Sequence, residues 1–272
     1  MIYLLSDEGR ASLRAVATRS VLFAFDFDGT LAKISRERRS VKLAPTTHEW
    51  LQELAKRAPC TIVSGRALDD LRPRVNGAVP HLIGNHGVEG PLTPAETLRT
   101  AEATCQRWLE QVGEPLAELL KDAGAEVENK RYTLTVHYRD VDDPVTVERT
   151  LALLLERLTP APRLIAGKAS VNILPPGDIG KGAATLALMA HLRCRGLFFI
   201  GDDETDEDVF RLTEGLMMGV RVGRRPESRA RYYLKHQGEI EDVLRFLVHR
   251  LDGTPDIAGQ ILRSPGGLVK PA

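Results

Sequence analysis

The sequence predicts an α/β protein, a doubly wound parallel sheet with an α+β layer inserted into it. Three observations carry that reading. Short apolar runs at 21–25, 60–63, 81–83 and 197–200 each lead into a turn of glycine with small or acidic residues. Bounded runs of this length read as strands buried on both faces, as in parallel sheets covered by helices. Helical patterns separate the first runs, which is the βα rhythm. After the third run that rhythm gives way to helix, alternating strands, helix and hairpin, and then resumes.

In chain order, residues 7–19 read as a polar helix leading into the first strand, 21–25, which ends in Asp26, Phe27, Asp28, Gly29 and Thr30. A charged, basic loop follows at 31–40. Thr46 or Thr47 is placed to cap a helix through Trp50, Leu51, Leu54 and Ala55. The second strand ends in Ser64, Gly65 and Arg66, and a helix runs through Leu68 and Leu71. The third ends in Gly84, Asn85, His86 and Gly87. Residues 94–123 then read as one long helix that Gly113 and Pro115 kink or split. Residues 125–139 alternate polar and apolar, as antiparallel strands exposed on one side do. Pro144 opens a helix to about residue 158, and 163–174 reads as a hairpin turning at Ala166, Gly167 and Lys168. The rhythm resumes with a helix at 181–192, a strand at 197–200, a helix around Val209, Phe210 and Leu212, and a strand at 216–220. A candidate edge strand at 232–234 and a helix at 240–251 follow, and the Gly- and Pro-rich tail from Gly253 is expected to be loosely ordered. The expected division is a core of residues 1–87 and 177–272 with a cap of residues 88–176.

Composition narrows the function classes. The chain has 272 residues, with 37 Lys and Arg against 37 Asp and Glu. Zero net charge gives no excess to attract nucleic acid or an anionic membrane. No apolar stretch approaches the roughly 18 residues of a membrane span, and the N-terminus lacks the pattern of a signal peptide. Cys60, Cys105 and Cys194 are an odd number without CxxC spacing, which argues against a disulfide framework or a zinc site. The expected setting is a reduced cytoplasm, with a monomer favoured.

The string at 21–30 is the chemical centre of the sequence. Alternation puts Phe23, Phe25 and Phe27 on one face and Asp26 and Asp28 on the other. Two carboxylates so close repel each other unless a cation or hydrogen bonds offset the charge. That leaves two compatible arrangements: a divalent metal with oxygen ligands, or a carboxylate nucleophile with an acid/base carboxyl beside it. A solvated turn would carry the same four letters. In a parallel sheet, however, Asp26 and Asp28, Ser64, His86, and Asp202 and Asp203 all fall at one edge, where open α/β sheets bind ligands. Lys181 opens the helix after the inserted layer and can join them. Its surroundings, PGDIGKGAAT, fail the GxxxxGK[ST] phosphate-loop spacing. The acidic run 202–208 does not fit an EF-hand, and by itself is also what a favourable acidic helix start looks like.

The order DFDGT, Ser, Lys, GDD resembles the four motifs of the haloacid dehalogenase superfamily, and the insertion between the second and third resembles its α+β cap of the C2B type. The closer resemblance is to the trehalose-6-phosphate phosphatases. It rests on DFDGTLA at 26–32, Ser64-Gly65-Arg66, Gly84-Asn85-His86-Gly87, Glu128 and Lys130, His137-Tyr138-Arg139, Gly167-Lys168, and GDDETDEDVF at 201–210. It covers about residues 20–225.

The resemblance implies a Rossmann-like core and a Mg2+-dependent phosphatase acting through an aspartyl phosphate. Asp26 is then the nucleophile and Asp28 the acid and base, while Ser64 and Lys181 hold phosphate oxygens. Asp26, the main-chain carbonyl of Asp28, and Asp202 take the metal, with Asp203 and Asp206 in support. Arg66, His86, Glu128, Lys130, His137, Arg139, Lys168 and Asn172 become sugar contacts. Asn172 departs from the family, which usually carries Glu there, and the departure bears on the disaccharide more than on the phosphatase chemistry. The implied substrate is trehalose 6-phosphate. Another glycosyl phosphate, such as glucosyl-3-phosphoglycerate or sucrose 6-phosphate, and a non-catalytic sugar-phosphate-binding regulator are the alternatives.

Overall fold

The computed structural model describes residues 1–35, 37, 40–139, 141–167, 169–212 and 216–253. Lys168, part of the basic loop and the tail beyond Gly253 lie outside them. The first segment comprises β1 (Ile2–Tyr3), α1 (Asp7–Val16), β2 (Val21–Phe25), α2 (Pro45–Ala55), β3 (Cys60–Val63), α3 (Leu68–Val75) and β4 (His81–Ile83). The inserted layer comprises α4 (Ala95–Asp122), β5 (Glu126–Asn129), β6 (Leu134–His137), α5 (Pro144–Leu155), β7 (Arg163–Gly167) and β8 (Ser170–Leu174). The last segment comprises α6 (Lys181–His191), β9 (Gly196–Gly201), α7 (Glu207–Phe210), β10 (Leu216–Val222), β11 (Tyr232–Leu234) and α8 (Ile240–Leu251).

The core sheet has seven strands in the order β1-β11-β10-β9-β2-β3-β4, and every pairing in it is parallel. β2 and β9 lie at its centre, with Phe23 opposite Phe198 and Ala24 opposite Phe199. Successive residues point to opposite faces. Phe23, Phe25, Phe198 and Ile200 therefore pack beneath α1, α2, α3 and α8, while Leu22, Ala24, Leu197 and Phe199 pack beneath α6 and α7. Helices on both faces explain why these strands read as unbroken apolar runs.

Three expectations are corrected. Residues 232–234 are not at the edge, because the two-residue β1 pairs outside them. α2 is capped by Ala44, with Pro45 at its first turn; the hydroxyls of Thr46 and Thr47 instead donate to the Glu241 carboxylate of α8. Pro45 has no N–H to satisfy, so a side-chain cap matters less there. α4 breaks inside at Gly113, as expected, with a φ of 66° and a ψ of 166° that are not helical. The helix expected around Val209, Phe210 and Leu212 ends at Phe210, as α7.

The inserted layer is an antiparallel sheet in the order β5-β6-β8-β7. Leu134, Val136 and Ile173 pack under α4 and α5 with Trp108, Val147 and Leu151. The indole of Trp108 is fully buried and donates to the Pro160 carbonyl at 2.8 Å, so its one polar atom is satisfied. Glu128, Thr135 and Asn172 are register partners in a row across the sheet, on the face opposite those apolar side chains.

Phe198 is fully buried and contacts both Phe23 and Phe25, with ring centroids 5.6 and 6.2 Å apart. Phe198→Ala should destabilise the chain by roughly 3–5 kcal/mol, read as a lower urea midpoint. An unchanged midpoint would mean that the centre of the sheet is not the principal core.

Candidate active site

Three loops at the C-terminal edge of the parallel sheet and the start of α6 carry the candidate residues. The loop after β2 holds Asp26 and Asp28, the loop after β3 holds Ser64 and Arg66, and the loop after β9 holds Asp202, Asp203 and Asp206. Lys181 comes from the first turn of α6. All C-terminal ends of a parallel sheet share one edge, so the sheet assembles residues from distant parts of the chain.

Lys181 is the hub. It is 2% exposed, and its Nζ donates to Asp26 Oδ1 and to Asp206 Oδ1, both at 2.8 Å. Burial disfavours the ammonium, but Asp206 and Asp26 outweigh it and raise its pKa above the ordinary value. Burial raises the pKa of Asp26, opposed by Lys181 and reinforced by Asp206 and Asp202. The second oxygen of Asp206 accepts the main-chain N–H groups of Asp202 and Asp203 at 2.8 and 2.9 Å. Asp203 and Asp206 also cap each other reciprocally across the short turn at Glu204–Asp206.

Carboxylate oxygens of Asp26, Asp202 and Asp206 lie within 4.8 Å of one another, all three residues buried. This donor set fits a hard divalent cation such as Mg2+. The mutual repulsion that raises Asp26 is what such a cation would offset. Asp206, expected only in support, stands in this cluster, whereas the Asp28 carboxylate is not part of it and accepts from Arg66 instead. At Gly29, where φ is +86°, an added Cβ would sit 2.4 Å from the Asp202 carboxylate. The turn after β2 can approach Asp202 this closely because it lacks a side chain.

Ser64 is 1% exposed, and its Oγ accepts the Arg66 N–H at 3.2 Å. The Arg66 guanidinium grips both oxygens of Asp28, at 2.6 and 2.7 Å. Of the sugar contacts expected, it is the one that binds the Asp28 carboxylate. Sequence reasoning missed several supporting charges. Arg221, 4% exposed, donates to the Asp203 carbonyl at 3.1 Å and to Glu207 at 3.2 Å, bracing the acidic loop from β10. Arg163 of β7 donates to Asp208 at 2.8 Å and to the Ile179 carbonyl. Asp208 in turn accepts the Gly182 N–H of α6 at 3.1 Å.

The antiparallel sheet turns its polar face toward these loops. Lys130 Nζ donates to the Gly65 carbonyl at 3.1 Å and lies 3.8 Å from Glu128. His137 Nε2 lies 2.7 Å from Glu128. Asn172, 5% exposed, accepts from Thr135 at 2.9 Å and donates to the Ile165 carbonyl at 3.3 Å. Arg139 is exposed beyond the end of β6. Asn85 ties the layers together: it accepts from Thr133 at 2.7 Å and donates to the Lys130 carbonyl at 3.1 Å.

His86 is 5% exposed, its backbone has φ +54°, and its ring lies against Gly65, where an added Cβ would be 2.4 Å from Cε1. Neither ring nitrogen has a protein hydrogen-bond partner of good geometry. Burial, then the charges of Lys130 and Lys181, push its pKa well below the ordinary 6.5, with the Asn172 amide acting weakly the other way. The folded state thus keeps His86 neutral where the unfolded chain takes up a proton. Its contribution is complete above pH 6.5 and is lost as pH falls below that value toward the folded pKa. Urea midpoints taken from pH 7.5 down to 5.5 should fall, and His86→Gln should flatten the fall. Parallel curves for the two proteins would refute this placement of the imidazole.

Comparison with known proteins agrees with this geometry. The trehalose-phosphatase family model matches residues 24–237. A relative from Oryza sativa subsp. japonica, named Probable trehalose-phosphate phosphatase 4, is 30% identical over 245 residues, covering 85% of this chain and 66% of its own. The trehalose-phosphate phosphatase of Mycobacterium tuberculosis H37Rv is 33% identical over 204 residues, covering 72% of this chain and 51% of its own. The chain thus matches about two thirds of the rice relative's length and about half of the mycobacterial one's. The C-terminal domain of the Candida albicans trehalose-6-phosphate phosphatase superposes with a TM-score of 0.66 at 20% identity, over 90% of this chain and 97% of that domain, a likeness of fold. With most of its length matched by the family model, and the DFDGT, SGR, Lys and GDD loops gathered at one sheet edge, the chain belongs to the trehalose-phosphatase family.

Proposed function

We propose that the protein hydrolyses trehalose 6-phosphate to trehalose and phosphate through an aspartyl phosphate on Asp26. The observation that carries the reading is the buried Asp26–Lys181–Asp206 arrangement beside Asp202, faced by the polar side of the antiparallel sheet. Asp26, Asp202 and Asp206 would hold Mg2+, which when bound offsets the negative charge of carboxylates and phosphate.

Asp26 attacks phosphorus, forming an acyl phosphate as the ester P–O bond breaks. Asp28 gives its proton to the departing sugar oxygen, then takes one from the water that cleaves the acyl phosphate. Lys181 keeps Asp26 oriented and offers its charge to the transferring group, and the hydroxyl of Ser64 would hold a phosphate oxygen beside it. Glu128, Lys130, His137 and Asn172 form a hydrogen-bonding surface suited to sugar hydroxyls. The division into a core of residues 1–87 and 177–272 and a cap of residues 88–176 belongs to this reading: the cap would close the site to water. Among the described residues no helix is long and apolar enough to cross a membrane, and a small sugar phosphate met in the cytoplasm is the proposed partner.

The test is phosphate release with and without Mg2+ from trehalose 6-phosphate, sucrose 6-phosphate, glucosyl-3-phosphoglycerate, glucose 6-phosphate and a nitrophenyl ester. Trehalose 6-phosphate should be preferred, and chelation should abolish release. Asp26→Asn should cut turnover by roughly 10³-fold or more with the urea midpoint showing a folded protein. Near-parental turnover would remove Asp26 from its role, and preference for another ester would move the substrate and make Asn172 the first residue to revert to Glu.

A further inference from the structure

We propose that Arg66 is a positioning residue for proton transfer by Asp28, and that Asp70 and Arg74 of α3 hold it in place. The inference rests on the phosphatase reading and deepens it, because it names what aims the acid.

Each edge of the Arg66 guanidinium is engaged. Nε donates to Asp28 Oδ2 at 2.6 Å and Nη2 to Asp28 Oδ1 at 2.7 Å, a bidentate pair. Nη1 donates to Asp70 Oδ2 at 2.7 Å. Arg74 binds the same Asp70 carboxylate, through Nε at 3.0 Å and Nη2 at 2.5 Å, and anchors itself on the Val41 carbonyl at 2.7 Å. The guanidinium also lies 5.6 Å from the centre of the Phe27 ring. The Arg66 side chain is 12% exposed and that of Asp28 is 38% exposed. A carboxylate on a turn, this open to water, has rotamer freedom to lose; a planar fork fixed on its far side removes that freedom.

The arrangement is compatible with an acid as well as a base. A protonated Asp28 can direct one oxygen's O–H at the ester oxygen while the other still accepts from Arg66. As the Asp26–phosphorus bond forms and the ester P–O bond breaks, that proton passes to the departing oxygen, and Asp28 is left as the carboxylate that both nitrogens grip. When water attacks phosphorus in the acyl phosphate, its proton returns to Asp28 and the carboxylate of Asp26 is released.

A sugar contact and an aiming residue predict different things for esters that contain no sugar. The experiment measures kcat/KM, which reports the first chemical step, for aryl phosphates from nitrophenyl to phenyl. It compares the parent with Arg66→Ala, Arg66→Lys, Asp70→Asn, Asp28→Asn and the Asp28→Asn/Arg66→Ala pair. Arg66→Ala should lose roughly 10–100-fold on phenyl phosphate, whose leaving group needs a proton, and under about threefold on the nitrophenyl ester. Arg66→Lys and Asp70→Asn should fall the same way by less, and added guanidinium should restore part of the Arg66→Ala loss. The double variant should be no slower than Asp28→Asn alone. An Arg66→Ala loss equal across the series, or losses that multiply in the double variant, would overturn the proposal. Should Arg66→Ala not fold, Arg66→Lys and Asp70→Asn decide by the same criterion. A parent active on aryl esters but inert on trehalose 6-phosphate would overturn the substrate and leave the role of Arg66 standing.

Discussion

The structure turns on one buried ammonium. Lys181 sits between Asp26 and Asp206 at 2.8 Å from each, and without it two carboxylates would be buried against each other. Burying ions is costly unless each is paired and hydrogen-bonded, and here the pairing is shared. Asp206 spends one oxygen on Lys181 and the other on the main chain of Asp202 and Asp203. The same contacts that stabilise the lysine therefore set the course of the acidic loop. Three carboxylates around one ammonium still carry a surplus of two negative charges when ionised, which matches a divalent cation and explains why a hard oxygen cluster is tolerated in so dry a place.

The antiparallel sheet meets the core next to those groups rather than at random. On one side Lys130 reaches the Gly65 carbonyl, one residue from Ser64, while Asn85 binds both Lys130 and Thr133. On the other, Arg163 binds Asp208, which holds the Gly182 N–H one residue from Lys181. A displacement of this sheet would be felt at Ser64 and Lys181, the residues proposed to hold phosphate, through one intervening residue each. In the proposed reaction that is a short physical link between the surface offered to the sugar and the groups offered to the phosphate, and it uses residues from both sides.

What the sequence made legible follows from distance along the chain. Buried parallel strands announce themselves as apolar runs, and the polar residues at their ends must share an edge, so Asp26, Ser64, Lys181 and Asp202 could be gathered before any coordinates. β1 stayed hidden because two residues carry no periodicity. Arg163, Arg221 and Asp208 stayed hidden because each looks like an ordinary surface charge, and its partner comes from another element. Arg66, Asp70 and Arg74 show the i, i+4 spacing of a solvated helix face. Only the fold reveals that the ladder ends on Asp28, 38 residues away.

Asp26 and Asp28, two residues apart, have been given opposite surroundings. Asp26 is 4% exposed and faces an ammonium and two carboxylates. The Asp28 side chain is 38% exposed and faces a guanidinium. A nucleophile must lie dry and close to the phosphate, whereas a proton-transfer group must exchange protons with water between its two turns of duty. The separation is made by the backbone, since β2 ends at Phe25 and the chain swings at Gly29 into space beside Asp202 that a Cβ would fill. One glycine in a left-handed turn thus gives two carboxylates of the same chemistry the unlike surroundings that the proposed reaction asks of them.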